Sequence, residues 1–257
     1  MSETARRTRG SGILLPILGL LAIIGVWWLV TIIFSIQKFL VPSPADVVAS
    51  FLELPGYLLE QSVVTLAETL EGFALSIVVG VPLALLIVGS RILERTFYPL
   101  LLAVNAVPKI AIAPILVVWF GFGQWPKVVL VVLVCVFPIV ISTASGMKST
   151  PHELVELLRS LDSSRRQEFF KLRFFHALPQ IFVGLKVAIS LAVIGAVIAE
   201  FVGADAGLGF VIVQSGASAD TSLAFAAMSL LAIISITLFY GLAYLERKVL
   251  PWAEEHR

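Results

Sequence analysis

The chain has 257 residues, of which 59% are hydrophobic and 14% charged, and its mean hydropathy is +1.01. A soluble domain is usually about 45–50% apolar and about 25% charged, so this composition indicates a protein that folds in a lipid bilayer. The net charge of +1 argues against a nucleic-acid partner bound through a basic face. The single cysteine, Cys135, and the three scattered histidines provide neither a disulfide framework nor the spacing of a metal site.

Six apolar segments are long enough to cross a bilayer, since a spanning helix needs about 20 largely apolar residues. They cover residues 13–36, 65–89, 97–120, 126–147, 180–202 and 222–245. A basic stretch precedes the first segment, so a cleaved signal peptide is an alternative there. The length of the segment and its ending without an A-x-A signature favour a retained helix. We therefore predict one transmembrane domain at 13–245, with tails at 1–12 and 246–257.

Basic residues are concentrated in alternate connections between these segments. Most of the 18 arginines and lysines lie before the first segment or after the second, fourth and sixth, whereas the other loops carry only Lys38 and Lys127. Cytoplasmic loops of membrane proteins are enriched in arginine and lysine. The pattern therefore predicts that both termini and the long loop at 149–179 lie in the cytoplasm.

The loop at 149–179 has the pattern of two helices joined by a tight turn. Thr150-Pro151-His152-Glu153 is a capping box with proline at the first helical position, and Ser164-Arg165-Arg166-Gln167 is a second capping box. Between them, Asp162 tolerates left-handed backbone and is the predicted helix stop. The second helix is expected to run toward Pro179.

The first helix of this loop carries an apolar face formed by four leucines. They recur at helical spacing, at Leu154, Leu157, Leu158 and Leu161. Such a face either rests on the lipid surface or enters a groove on another protein.

One stretch of the loop resembles the EAA loop of ABC importer permeases. Glu156-Leu157-Leu158-Arg159-Ser160-Leu161-Asp162, followed by Ala177-Leu178-Pro179, has the spacing of that pattern. The family pattern is E-A-A, then a glycine after three residues, then a later L-P. The chain departs from it in the two leucines, in Asp162 where glycine is usual, and in Phe175 where proline is frequent.

Longer runs are similar to one branch of that family, the permeases of nitrate, sulfonate, taurine, bicarbonate and thiamine-precursor importers. These runs are LVPSPADVVASFLEL, GFALSIVVGVPLAL, VPKIAIAPILVVWFGFG, AEFVGADAGLGF and LERKVLPW. The resemblance implies an all-α membrane protein with six transmembrane helices, the type I ABC importer permease fold, and a cytoplasmic coupling helix between the fourth and fifth helices.

The resemblance also implies partner proteins and the separate role of each. A second permease copy, a cytoplasmic ABC ATPase dimer and a periplasmic or lipid-anchored solute-binding protein are expected at the bacterial cytoplasmic membrane. ATP is expected on the ATPase, since the nearest approach to a phosphate-binding loop, GMKS at 146–149, lacks the glycine before lysine. No catalytic, cofactor-binding or metal-binding residue is expected on this chain. The implied ATPase-coupling residues are Glu153, Glu156, Leu157, Leu158, Arg159, Leu161 and Asp162.

Polar and ionisable residues inside the predicted spans are candidates for the translocation path, because charge in a bilayer is costly. Lys109 lies between Pro108 and Pro114, where the helix is expected to break. It either attracts an anionic solute or caps loosened carbonyl groups. Asn105 and Glu200 are the other candidates, and Glu200 either faces the pore or pairs locally. Lys186 is near enough to the cytoplasmic end of its span for its amine to reach water.

Two other functional classes fit the sequence less well. An ion-coupled secondary transporter would leave the cytoplasmic helix-turn-helix without a role. A membrane-embedded enzyme would need a polar constellation on facing spans, and the sequence shows none. We therefore expect the permease subunit of an ATP-driven, binding-protein-dependent importer of a small solute. The expected solute is an anion such as a sulfonate, nitrate or taurine, or a thiamine-precursor-like compound.

Overall fold

The structure, a computed structural model, describes residues 4–252, with side chains from residue 15 onward. Within that range the regular elements are helical. The helices are α1 (Thr4–Ile33), α2 (Pro44–Glu53), α3 (Pro55–Gly89), α4 (Arg91–Ala106), α5 (Lys109–Phe120), α6 (Gln124–Lys148), α7 (His152–Ser160), α8 (Arg165–Gln167), α9 (Phe174–Gly203), α10 (Leu208–Ala217) and α11 (Thr221–Val249). A π-helical turn at Glu168–Arg173 joins α8 to α9. The last residues of the predicted C-terminal tail, 253–257, lie outside the described range.

Five helical segments of the described chain are long and apolar enough to cross a membrane. The pair α4 and α5 makes a sixth span if its two halves are counted together, but they are bent by 92°. The segment predicted at 97–120 is therefore a broken span, and its break lies beside Pro108, where the sequence analysis expects one. The chain leaves the helix at Val107, whose φ of −69° and ψ of 127° are extended, as expected for a residue before proline. The second proline of that segment, Pro114, lies inside α5 without breaking it.

Several helices extend beyond their apolar cores. α3 begins at Pro55 rather than at 65, because polar residues in its first turns do not break a helix. Pro179 lies inside α9, so the second helix of the 149–179 loop continues without interruption into the fifth span. This continuity joins the loop mechanically to a membrane helix.

The contacts divide the chain into two compact units, one formed by residues up to Leu59 with Val211–Ser229 and the other by Glu60–Phe210 with the residues after Ser229. In the first unit the Trp27 and Phe225 rings lie 5.7 Å apart. Its short helix α2 begins at a capping box in which Asp46 Oδ2 accepts from the Ser43 hydroxyl at 2.6 Å. This hydrogen bond lowers the pKa of Asp46, and Lys38 at 3.1 Å acts in the same direction.

The core of the second unit is built around α6 and α9. Fully buried Val131, Cys135 and Ile139 of α6 pack against Ala188 and Ala192 of α9. Because lipid provides no hydrophobic drive for helix association, membrane helices pack through small residues that allow close approach. Four glycines of α3 and α9 allow these helices to approach α6 closely, and a Cβ on any of the four would meet an α6 atom. They are Gly72, Gly80, Gly184 and Gly195.

Candidate functional site

The loop helix α7 begins differently from the sequence prediction. Its N-cap is Pro151, with no side-chain hydrogen bond, so the predicted capping box at Thr150 is wrong. The Thr150 hydroxyl instead donates to the Met147 carbonyl at 3.4 Å, in the last turn of α6. Threonine makes this backward bond readily, and doing so removes it from the start of the next helix.

The end of α7 agrees with the prediction. Asp162 has a φ of +54°, its N–H donates to the Arg159 carbonyl at 3.1 Å, and the Ser163 N–H donates to the Leu158 carbonyl at 3.2 Å. These two bonds form the Schellman motif, in which glycine usually takes the left-handed position. The predicted left-handed stop at Asp162 is confirmed, and the turn of the EAA-like loop forms without glycine.

Replacing Asp162 by glycine is expected to change the free energy of unfolding by no more than about 1 kcal/mol, because glycine takes this conformation without strain but is more flexible when unfolded. Valine at the same position is expected to cost about 1–3 kcal/mol, because a β-branched residue is strained at positive φ. The melting temperatures of the purified variants measure both effects. A large loss of stability with glycine would contradict a purely conformational role for Asp162.

The second helix of the loop begins as the sequence predicts. The Ser164 hydroxyl accepts from the Gln167 N–H at 3.3 Å, and the Gln167 side chain accepts from the Ser164 N–H at 2.8 Å. This reciprocal pair confirms the predicted capping box. From Gln167 the chain passes through the π-helical turn into α9.

The apolar residues of α7 are divided between two sides of the helix. Val155 is buried, whereas Leu157 and Leu161 are 58% and 73% exposed. Leu158 is half-buried, and Glu153, Glu156 and Asp162 are exposed. Sequence reasoning missed Val155, which fixes one side of α7 to the protein. The leucine side is left facing outward.

Charged contacts differ between the two ends of α7. At its start, Glu156 pairs with His152 one turn earlier at 3.2 Å, and both side chains are largely exposed. At its end, the Arg159 guanidinium donates from Nε and Nη2 to Glu168 Oε2, at 3.2 and 3.1 Å. Glu156 is therefore available to a partner, whereas Arg159 is already engaged within the loop.

Lys109 and Asn105, two of the predicted pathway residues, contact each other across the break between α4 and α5. Lys109 Nζ donates to the Asn105 side-chain oxygen at 2.9 Å and also to the Asn105 backbone carbonyl. A cation at a helix C-terminus satisfies the last carbonyl groups and interacts favourably with the helix dipole. If Lys109 caps carbonyl groups loosened at the helix break, this is the contact that its amine should make.

Glu200, the third predicted pathway residue, is buried in a hydrogen-bond network, with 2% of its surface exposed. Its Oε1 accepts from the Thr65 hydroxyl at 2.7 Å, and its Oε2 accepts from the Gly209 N–H at 2.5 Å. The Leu208 N–H donates to Thr65 Oγ1 at 2.8 Å, and the Gly207 N–H donates to the Gln61 side-chain oxygen at 2.6 Å. These are contacts that the local-pairing alternative for Glu200 requires, and the network fixes the turn after α9 to α3.

Two buried ion pairs correct the sequence interpretation of other lysines. Lys127 lies in α6 rather than in a loop and contacts Glu68 of α3 at 2.5 Å. Lys186 contacts Glu246 of α11 at 2.7 Å and is mostly buried, so it does not extend its amine to water. A charge within an apolar segment was the only sequence signal for these pairs.

Among the residues that the structure describes, no group of three or more His, Cys, Asp or Glu side chains is placed to hold a metal ion.

The helical architecture of the described residues, with five or six apolar spans, is that of a multi-pass membrane protein. A family model described as "Binding-protein-dependent transport system inner membrane component" matches residues 76–251. The chain belongs to this family of ABC importer permeases, whose members work with a separate ATPase and a binding protein.

Individual relatives agree with this assignment. The chain is 39% identical to the formylaminopyrimidine transport permease protein ThiX of Halalkalibacterium halodurans, over 85% of this chain and 88% of that protein. It is 35% identical to the riboflavin transport system permease protein RibX of Chloroflexus aurantiacus, over 92% and 91%. It is 28% identical to the taurine transport system permease protein TauC of Escherichia coli, over 93% and 90%. These relatives are permease subunits rather than enzymes.

A solved structure has the same fold. A chain of the MetNI methionine ABC transporter, in an inward-facing conformation, matches 77% of this chain and 98% of its own length, with a TM-score of 0.67 and 20% identity. The predicted type I importer permease fold is therefore confirmed.

Proposed function

We propose that two copies of this permease form a translocation pathway and that the loop at 149–179 couples it to a cytoplasmic ABC ATPase dimer. The complex would lie in the bacterial cytoplasmic membrane with both termini in the cytoplasm, and a periplasmic or lipid-anchored binding protein would deliver the solute. The observation that carries the proposal is the exposed leucine side of α7, opposite buried Val155. An apolar helix face of this kind fits a groove on a partner protein.

The coupling residues of the proposal have distinct roles. Leu157, Leu158 and Leu161 would fill the groove of the ATPase, and Glu156 would fix the register, since rim charges contribute orientation more than affinity. Glu153 would add to the acidic rim, and Asp162 would form the end of the helix that enters the groove. Because α9 continues from this loop into the membrane, motion of α7 would reach the pathway directly.

Reconstitution tests the proposed function. The permease is purified with the ATPase and binding protein encoded beside it and placed in proteoliposomes. We expect uptake that requires ATP on the ATPase side and the binding protein on the other side. ATP-independent uptake driven by an ion gradient would contradict the proposal and favour a secondary transporter.

Of the two classes of cargo that the sequence left open, we propose the thiamine-precursor-like heterocycle over a small anion. An anion pathway calls for an unpaired cation, but Lys127 is neutralised by Glu68 and Lys186 by Glu246. Lys109 keeps its charge, but its amine is held at the end of α4 by the side-chain oxygen and backbone carbonyl of Asn105. The identities to the formylaminopyrimidine and riboflavin permeases, both above the identity to the taurine permease, support the same choice.

Replacing Lys109 by methionine is expected to leave the uptake rate and the apparent affinity for the cargo unchanged within about two-fold, because a capping role contributes only about 0.3–1 kcal/mol at a helix end. The measurement compares uptake of a formylaminopyrimidine with uptake of taurine in the same proteoliposomes. Two results would favour the anion pathway. One is a loss of transport in Lys109→Met that the wild type does not show, and the other is transport of taurine but not of the formylaminopyrimidine by the wild type.

A further inference from the structure

Glu168 is a buried acidic residue in the loop, outside the EAA-like stretch, and it contacts two arginines. The residue is 7% exposed and opens the π-helical turn between α8 and α9. Its Oε2 accepts from Nε and Nη2 of Arg159, at 3.2 and 3.1 Å. Its Oε1 accepts from Nε and Nη2 of Arg173, at 2.9 and 2.6 Å. We call these three residues the Glu168 clamp.

The geometry of the clamp is more specific than that of an ordinary surface ion pair. An exposed ion pair contributes little to stability because water screens it and two flexible side chains must be ordered. Here one buried carboxylate receives a fork of two donors on each oxygen, which fixes direction as well as charge. The Arg159 side chain is 60% exposed and that of Arg173 only 30%, so the stronger half of the clamp is the half with Arg173.

The clamp spans the turn that separates the coupling helix from the membrane helix. Arg159 lies in the last turn of α7, whereas Glu168 and Arg173 lie in the π-helical turn that continues into α9. The backbone between them passes through the left-handed turn at Asp162, which is closed by two backbone hydrogen bonds. The bond between Arg159 and Glu168 is a side-chain contact that joins the last turn of α7 directly to the π-helical turn.

The π-helical turn is itself fixed to the protein interior. Phe169 and Phe174, on either side of Arg173, pack against the buried core of α6 and α9. A displacement of Glu168 therefore moves α9, and a displacement of α7 is passed through Arg159 to Glu168. The continuous path runs from the exposed leucines of α7 to the fifth span.

We infer that Glu168 is a positioning residue that holds the coupling helix α7 and the membrane helix α9 as one rigid lever. This inference rests on the proposed function, since it concerns how force from the ATPase reaches the pathway. Without the clamp, the ATPase would still bind and hydrolyse ATP, but α7 would pivot at Asp162 and part of its motion would not reach the membrane.

The test compares variants of the complete reconstituted importer. Glu168→Gln removes the charge but keeps the shape of the side chain, and Arg159→Lys keeps the charge but loses the fork. Lys171→Gln is the matched control, because Lys171 is exposed in the same turn and makes no ion pair in the part of the chain that the structure describes. For each protein the amount of bound ATPase, the ATP hydrolysis rate and the solute transported per ATP are measured.

We expect Glu168→Gln to keep its ATPase and to transport about five-fold less solute per ATP, the size of effect typical of a residue that carries coupling between sites. Arg159→Lys is expected to lower the same ratio by a smaller factor, and Lys171→Gln to match the wild type. Hydrogen exchange at the backbone amides of residues 155–160 is expected to become about ten-fold faster in Glu168→Gln, because the helix is no longer held at its end.

Two results of the transport and hydrolysis assays would overturn the inference. One is an unchanged ratio of transport to hydrolysis in both variants. The other is a proportional loss of bound ATPase, hydrolysis and transport, which indicates that Glu168 only supports folding. If Glu168→Gln does not fold, the Arg159→Lys variant alone tests the inference, since the Arg159 side chain is largely exposed. A wild-type complex that neither binds the ATPase nor transports would instead refute the proposed function. Unchanged hydrogen exchange in Glu168→Gln would refute the clamp without bearing on the proposed function.

Discussion

Replacing Glu156 by lysine is expected to abolish ATP-driven uptake while the permease remains folded in the membrane. Glu156 is exposed on α7, and within the described chain it pairs with an exposed histidine one turn away, so the substitution disturbs little within the protein. At the proposed interface with the ATPase, a reversed charge would lose a favourable contact and would repel any cation of the partner placed to pair with Glu156. Such a change typically costs about 2–5 kcal/mol.

The measurement is the amount of ATPase that copurifies with the variant, together with uptake and ATP hydrolysis in proteoliposomes. Glu53→Lys provides the control, because Glu53 is an exposed carboxylate on α2, outside the loop, and undergoes the same change of charge. Uptake by Glu156→Lys equal to that of Glu53→Lys would refute the assignment of α7 as the coupling helix.

Replacing Gly207 by alanine is expected to destabilise the permease by about 2–6 kcal/mol, which combines strained backbone with the loss of buried hydrogen bonds. Gly207 has a φ of +109°, and a Cβ at this position would lie on the Glu200 carboxylate. The carboxylate can withdraw only by breaking its hydrogen bonds from the Thr65 hydroxyl and the Gly209 N–H. The steric and conformational costs therefore add.

Thermal unfolding of the purified protein in detergent measures this effect. Gly89→Ala is the matched control, since a Cβ on Gly89 meets no atom within 4 Å. We expect a clear fall in melting temperature for Gly207→Ala and almost none for Gly89→Ala. Equal melting temperatures for the two variants would contradict the role given to the network around Glu200.

Local signals in the sequence predicted the parts of the fold that depend on neighbouring residues. Apolar runs located α6 and α11 to within a few residues, Ser164 and Gln167 predicted a helix start, and Asp162 predicted a helix stop. Pro108 predicted the break near Lys109. The prediction failed at Thr150, because a threonine hydroxyl can bond backward to the preceding helix as well as forward to the next one.

Contacts between distant residues account for what the sequence did not predict. Glu200 bonds to a threonine 135 positions away, and Lys127 and Lys186 pair with carboxylates 59 and 60 positions away. Helical periodicity relates residues within a few turns and carries no information about such partners. The Glu168 clamp is closer in sequence, but it depends on the turn at Asp162 and the π-helical turn acting together.

The glycines that pack α3 and α9 against α6 have a consequence for engineering the permease. Gly72 and Gly184 would place a Cβ within the van der Waals radius of an α6 side chain, whereas Gly19 and Gly25 of α1 face open space. Composition alone treats these four positions as equivalent. A library of variants can therefore replace Gly19 and Gly25 without a steric clash among the described residues, while the glycines at the helix crossings set a minimum spacing that any redesign of cargo or partner must keep.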